Sequence, residues 1–355
     1  MTFEKSLEND DLVSVIIINF NGGDYILDCV DSVFQTSNCN FEVILIDNNS
    51  TDNSSNLCKE KFDQIRFFQS EKNLGMAARN IGLDNVKGDF VVFLDADTVV
   101  TSNWLSVLLD SYRKHGPGLY QGKLLKKDDP SIIESCGDMA NVFGTGFARG
   151  RGEKDKGNFE TFQKITFTVG ACTFGPTKIF KKIGYVDESK LFFLMLDDLD
   201  YGWRAWMQGI PSYYEPKCVI YHVGSPVLKW SSKKFFYIER NRWICLLTLY
   251  SRKTFVKILP MLLIYDFGTF LFLASKGFPG VKIRSFFSLL RMYPKIKTRH
   301  KLLSETRKLS DKEVVENFAD EVDIPPNLMA EFSSRFFNSI VRNLSKKTRK
   351  IIHGS

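Results

Sequence analysis

No CxxC pair occurs among the seven scattered cysteines, Cys29, Cys39, Cys58, Cys136, Cys172, Cys218 and Cys245. That spacing excludes a cysteine zinc site or a dithiol redox motif, and the thiols read as reduced groups of a cytosolic protein. A secretory leader is missing from Met1 to Leu12, which is polar and acidic rather than basic then apolar, so export is not expected. A spanning helix needs roughly 20 largely uncharged residues. The hydrophobic stretch Ile258 to Ala274 holds 17 and includes Pro260, Asp266 and Gly268. An interfacial or re-entrant helix is therefore expected there. No internal repeat is evident.

What is present bounds the answer further. With 355 residues, 44% hydrophobic and 25% charged, the chain can bury one large core and carry an appendage, which excludes disorder of the whole. Lys and Arg outnumber Asp and Glu by 48 to 41, a net charge of +7, and much of the excess lies in the last third. Such a flank favours anionic partners, among them lipid headgroups, nucleotides and nucleic acid. Nucleic acid is disfavoured because the basic residues accompany apolar stripes instead of a base-reading motif.

The first hundred residues alternate β-branched runs with amphipathic stretches, the pattern of βαβ units. Strands are expected at Val13 to Phe20, Phe41 to Ile46, Ile65 to Phe68 and Phe90 to Leu94, with helices at Asp24 to Thr36, Thr51 to Lys61 and Gly75 to Asn85. Polar clusters follow three strands: Asn19 to Gly23, Asp47 to Asp52, and Asp95 to Asp97. In an open parallel sheet the ligand crevice lies at those carboxyl ends. Mixed strands and a mobile Gly-rich loop, Gly144 to Gly157, are expected up to about Val223. From Trp230 the chain turns to apolar stretches punctuated by Lys and Arg, and Phe332 to Ile352 reads as a basic amphipathic helix.

The chemistry-bearing residues cluster in order. Asp95-Ala96-Asp97 can hold a hard divalent cation against a diphosphate, although an isolated acidic pair after a strand also serves as a turn or helix cap. Asp47 to Asp52 (DNNSTD) suits a base or ribose, or a plain turn. Small residues around Arg79 in NLGMAARNIG suit close approach of a phosphate, or a surface ion pair. In Asp197-Asp198-Leu199-Asp200 like charges raise one another's pKa, which can poise one acid as a base. His222 ends a strand, where it can be structural or can complete a carboxylate metal site.

In sequence, VSVIIINFNG, DNNSTD, NLGMAARNIG, FLDADT, VGACTFGPTKIFKKIGYVDE, DDLDYGWRAWMQG and IYHVGS resemble the inverting family 2 glycosyltransferases, especially their rhamnosyl- and galactofuranosyl-transferase-like branch. The resemblance, which runs from about Leu12 to Ser225, implies an α/β GT-A fold: a Rossmann-like, mostly parallel central sheet flanked by helices; the apolar and basic composition of the last third adds a C-terminal helical membrane-associating region. The resemblance implies a catalytic domain over 12–228, divided into a nucleotide-binding part (12–100) and an acceptor-side part (101–228). A tail (1–11) precedes it; an apolar helical region (229–309) and a basic tail (310–355) follow.

Carried over by position, the resemblance places Asn19 and Asn21 at the nucleoside, Asp47 at the base, and Arg79 and Asp95 at the ribose and phosphates. Asp95, Asp97 and His222 would hold Mg²⁺ or Mn²⁺. Asp198 would be the general base, preceded by Asp197 where the family usually has Glu. Gly170, Ala171, Cys172, Asp197 and Trp203 would lie on the acceptor side. The implied reaction is metal-assisted transfer from a nucleoside-diphosphate sugar to a glycan or polyprenyl-linked glycan at the inner face of the cell membrane, in cell-surface polysaccharide or glycoconjugate synthesis. Two rivals are a sugar nucleotidyltransferase, whose Gly-rich phosphate loop is absent at Asn19 to Asp24, and a decayed fold serving as a membrane-bound partner.

Overall fold

A computed structural model describes residues 11–187, 189–224, 231–324, 328 and 331–354. Residues 1–10 of the expected tail, Ser225 of IYHVGS and the expected domain boundary near 228 lie outside the described residues.

The first half of the sheet domain is built from β1 (Leu12–Asn19), α1 (Tyr25–Phe34), β2 (Asn40–Asp47), α2 (Ser54–Lys61), β3 (Arg66–Gln69), α3 (Arg79–Asn85) and β4 (Phe90–Asp95). β1 pairs in parallel with both β2 and β4, and β2 with β3. Helices cover both faces, so β1 and β4 are almost continuously apolar rather than alternating. In α1 the buried stripe Ile26, Cys29, Val30 and Val33 has helical spacing. α2 starts at Ser54 rather than at the expected Thr51, because the Asn21 carboxamide accepts from the Thr51 and Asp52 N–H groups. The expected helix from Gly75 opens as a 3₁₀ turn, Gly75–Ala78, and becomes α-helical at Arg79.

The second half continues with β5 (Thr98–Val100), α4 (Trp104–His115), β6 (Leu119–Lys126), β7 (Ile133–Ser135), β8 (Asp138–Ala140), β9 (Gly146–Ala148), β10 (Gln163–Ile165), β11 (Cys172–Pro176), α5 (Thr177–Ile183), α6 (Asp197–Met207) and β12 (Ser212–His222). β11 runs antiparallel between β4 and β6, while β12 runs parallel to β6 and antiparallel to β5 and β10. Parallel pairing therefore belongs to the first half of the sheet and mixed pairing to the second. The stretch expected as a mobile loop, Gly144 to Gly157, instead contributes β9 to a hairpin with β8, and its Gly150 N–H donates to Asp323.

Among the described residues, five helices follow: α7 (Ser232–Leu249), α8 (Arg252–Ser275), α9 (Gly280–Thr306), α10 (Asp311–Val315) and α11 (Glu331–His353). They share a core with the sheet domain, in which Phe143, Phe192 and Trp203 pack with Leu246, Ile258, Ile296, Val341 and Ile352. α8 is one continuous helix of 24 residues with Pro260 inside, longer than the expected apolar segment. It buries Ile258, Leu262, Tyr265 and Leu273 against the body and exposes Val256, Leu263, Ile264, Phe267 and Leu271. α9 exposes Ile283, Phe286, Phe287, Leu290 and Tyr293.

Candidate active site

The three polar clusters meet because β1, β2 and β4 are adjacent and end level: Asn19 stands opposite Asp47, and Ile18 opposite Asp95. β12 lies antiparallel to β5, with His222 opposite Thr98, so the strand end is carried back to the acidic triplet. The His222 imidazole reaches Asp97 at 3.2 Å, and the Val223 N–H donates to the Asp97 carbonyl. Ligand atoms of Asp95, Asp97 and His222 lie within 4.8 Å of one another.

This donor set fits a hard divalent cation. Two carboxylates and an imidazole would supply the oxygen and nitrogen donors such an ion takes. His222 Nδ1 is buried without a hydrogen-bond partner among the described residues. Burial opposes ionisation of Asp97, but the His222 hydrogen bond and charge hold its carboxyl below the ordinary value. Burial likewise opposes the imidazolium, and Asp97 outweighs it, so His222 is raised.

Arg79 is the hub of the cleft. It is 1% exposed. Its guanidinium donates to Asp95 at 2.8 Å and to Asp198 at 3.5 Å, and lies 3.8 Å from Asp197. Three carboxylates thus occupy the group expected at the donor phosphates, and one guanidinium separates Asp95 from Asp198. Gly170 packs against it so closely that any side chain there would strike the guanidinium.

The Asp197–Asp198 pair is split by environment. Burial pushes the Asp198 carboxyl up to about 6, Arg79 pulling down and Asp95 adding to the rise, while the Gly170 N–H donates to it. Its side chain is 26% exposed and faces the cleft. Asp197 is buried, with Oδ2 lacking any hydrogen-bond partner among the described residues, and burial followed by the charge of Asp198 raises it well above the ordinary range. Asp200, third in the run, is committed elsewhere: it binds Arg204 and, through both oxygens, Arg299 of α9.

Several expected contacts are corrected by burial. Trp203 is fully buried, edge-on to Tyr250 and Phe318, and turns away from the cleft because its helix face packs on α7. Asn19 is fully buried; it donates to Ser54 and Ser55 and accepts from the Gly22 N–H, so it builds the loop instead of facing a nucleoside. Ala171 and Cys172 are fully buried behind Gly170. Asn21 is exposed, but its oxygen is taken by the DNNSTD backbone. Asp47 is buried as well, and accepts from the Ser50 N–H, the Ser55 hydroxyl and the Gln69 carboxamide.

Residues with no motif also enter the site. Buried Asp138 accepts from Ser135, and burial pushes its carboxyl up to about 6, with Asp198 among the charges that raise it. Gln121 donates to Ser135 and accepts from the Val169 N–H, linking that pair to the Gly170 loop. Single polar residues within short strands carry no spacing signal that would have marked them.

The cleft thus joins a parallel sheet, an acidic triplet at its rim and a second acid across an arginine. Residues 14–184, just under half of the chain, match the model for glycosyl transferase family 2. Glycosyltransferase GlyG of Streptococcus pneumoniae is 28% identical over 123 residues, 34% of this chain and 41% of that protein. The teichoic acid poly(glycerol phosphate) polymerase of Staphylococcus epidermidis is 33% identical over 105 residues, 28% of this chain and 15% of the polymerase. The chain thus spans less than half the length of either relative. The crystal structure of S. aureus TarS aligns at a TM-score of 0.51 and 17% identity, covering 96% of this chain and 55% of that one. The fold is GT-A-like, and the likeness runs through the helical region.

Proposed function

We propose that this protein is an inverting glycosyltransferase that moves a sugar from a nucleoside-diphosphate donor to a hydroxyl of a glycan or lipid-linked glycan. The observation that carries the reading is one cleft holding a carboxylate–imidazole cation site and, across Arg79, a second carboxylate poised near neutrality. Asp95, Asp97 and His222 would hold Mg²⁺ or Mn²⁺, which when bound stabilises the diphosphate leaving group. Asp198 takes the proton of the acceptor hydroxyl, and Asp197 keeps its own proton, so one of two adjacent acids is free to act as base. Direct displacement from the face opposite the leaving group inverts the anomeric carbon. Asp47 and the DNNSTD loop hold the nucleoside.

Likeness to a teichoic acid polymerase supports a cell-surface polymer or its precursor as acceptor. Rhamnose and galactofuranose are the first donor sugars to try. The test is release of nucleoside diphosphate from UDP-, dTDP- and GDP-linked sugars with Mg²⁺ or Mn²⁺ and membrane extract, beside Asp198→Asn. One donor class should turn over and the variant should not; an inert parent enzyme, or an active variant, removes the reading.

We also place the enzyme at the inner face of the membrane through α8 and α9. Residues 252–306 hold eleven Lys and Arg against two acids, interleaved with the exposed apolar residues of both helices. α8 is long and apolar enough to cross a bilayer. Its buried face on the catalytic body supports a helix lying along the surface instead. Flotation with vesicles containing anionic lipid should carry the protein at low salt and release most of it at high salt. Indifference to vesicles would exclude the membrane role.

A further inference from the structure

We infer that Arg240 and Asn241 of α7 are positioning residues for Asp198. The inference rests on reading Asp198 as the base, and its argument begins with the backbone that delivers that residue.

Asp198 is the second residue of α6, and the chain entering α6 is unusual. Phe193, Met195 and Leu196 have φ values of 64°, 67° and 59°, in the left-handed region that residues with side chains rarely adopt. None of the three is glycine, and Leu196, the N-cap, has no side-chain oxygen to cap the helix. Such a stretch persists only where its surroundings over-determine it. These left-handed residues also turn the carbonyls of the stretch away from any regular ladder, and each needs a donor where it is buried.

α7 supplies those donors. Asn241 is fully buried, and its carboxamide nitrogen donates to the carbonyls of Leu194 at 2.7 Å, Met195 at 2.8 Å and Phe192 at 3.3 Å. Arg240 donates to the carbonyls of Phe192 at 2.9 Å and Leu191 at 3.1 Å. Its Nε donates to the Asn241 carboxamide oxygen at 2.9 Å, which fixes which end of the amide faces the loop. On the far side the Phe193 carbonyl accepts from the Met76 N–H, in the turn that leads to Arg79. The strained stretch is therefore clamped between the helix that holds it and the turn that carries the cleft's arginine. Neither Arg240 nor Asn241 faces the cleft, so they act through the backbone that aims Asp198.

The test compares the parent chain with Asn241→Ala, Asn241→Asp and Arg240→Lys. Asn241→Asp keeps the shape while replacing a donor with an acceptor against three carbonyls. Arg240→Lys keeps the charge but loses the planar fork whose Nε meets Asn241 while an Nη meets the two carbonyls. Turnover is read as nucleoside diphosphate release from whichever sugar nucleotide of the panel is a donor, and binding as titration with UDP and Mn²⁺. We expect kcat to fall about 10- to 100-fold, the loss that a misplaced reacting group incurs, with UDP affinity unchanged and the acid limb of the pH profile displaced. A purely structural role would lower thermal stability and leave the kcat and acid limb of the folded fraction alone, and that outcome overturns the inference. Should Asn241→Ala fail to fold, Arg240→Lys gives the same reading. Asp198→Asn separates the two claims: if it is inactive while the α7 variants are normal, only the positioning inference fails. If it turns over normally, or the parent is inert toward the whole panel, the base assignment fails and the inference falls with it.

Discussion

Adjacent carboxylic acids usually share a fate, yet Asp197 and Asp198 differ because only Asp198 reaches Arg79 closely, accepts the Gly170 N–H and faces the cleft. A base must be ionised to work, so with Asp198 in that proposed role activity should be present above about pH 6, to which burial raises its carboxyl, and be lost as pH falls through it. The kcat/KM profile should therefore drop about tenfold per pH unit below that point, and a profile flat to pH 5 would contradict the assignment. Asp198→Asn should reduce transfer by roughly 10²–10⁴-fold while sparing donor binding, measured by nucleotide titration. At the cation site the opposite split is expected. Asp97→Ala removes one of the three proposed ligand side chains, so Mn²⁺ should no longer strengthen nucleotide binding in a calorimetric titration; unaltered enhancement by the metal would disprove its role as a ligand.

Secondary-structure elements contribute by register and by turns. The antiparallel pairing of β12 with β5 converts a histidine more than a hundred residues downstream into a neighbour of Asp97. Gly75 shows the demand made by a turn: its φ is +61°, and an added Cβ would collide with the Phe193 carbonyl. Gly75→Ala should cost about 1–3 kcal/mol of stability, read from the midpoint of urea unfolding at constant slope. The same variant should disturb the entry to α6, because the Phe193 carbonyl also accepts from the Met76 N–H. A substitution with no change in midpoint would show that the turn relaxes freely.

Across the whole molecule, the C-terminal helices and the sheet domain form one packed body, and a buried ion pair keys them together. Arg299 of α9 meets Asp200 of α6, and both side chains are nearly inaccessible. Replacing one member leaves the other buried with its charge less compensated, so Arg299→Met should destabilise by about 3–5 kcal/mol. Thermal unfolding should move down accordingly, although Arg204 still contacts Asp200. Charge is just as unevenly divided: residues 252–306 are strongly basic while the rest of the chain is slightly acidic. Even if the membrane proposal fails, that division remains a property of the surface.

Local chemistry was legible in the linear chain. Strand runs such as VSVIII and FVVFLD, and the acids that end them, follow from apolar burial on both sheet faces and from ligand chemistry at strand ends. Asp47, Asp95, Asp97 and Asp198 could be singled out because each sits in a short motif whose spacing needs no partner from elsewhere. Which way side chains point was not legible, since a residue's face depends on what packs against it: Trp203 and Asn19 belong to motifs yet are sealed in the interior. Nor could any local pattern reveal Arg240 and Asn241 beneath the Phe192 to Met195 carbonyls, more than forty positions away. Long-range hydrogen bonds arise only once two elements are docked. The residue types available for chemistry were thus determined by the sequence itself, and their mutual orientation was decided by tertiary packing, which alone brings distant donors to a backbone that cannot satisfy itself.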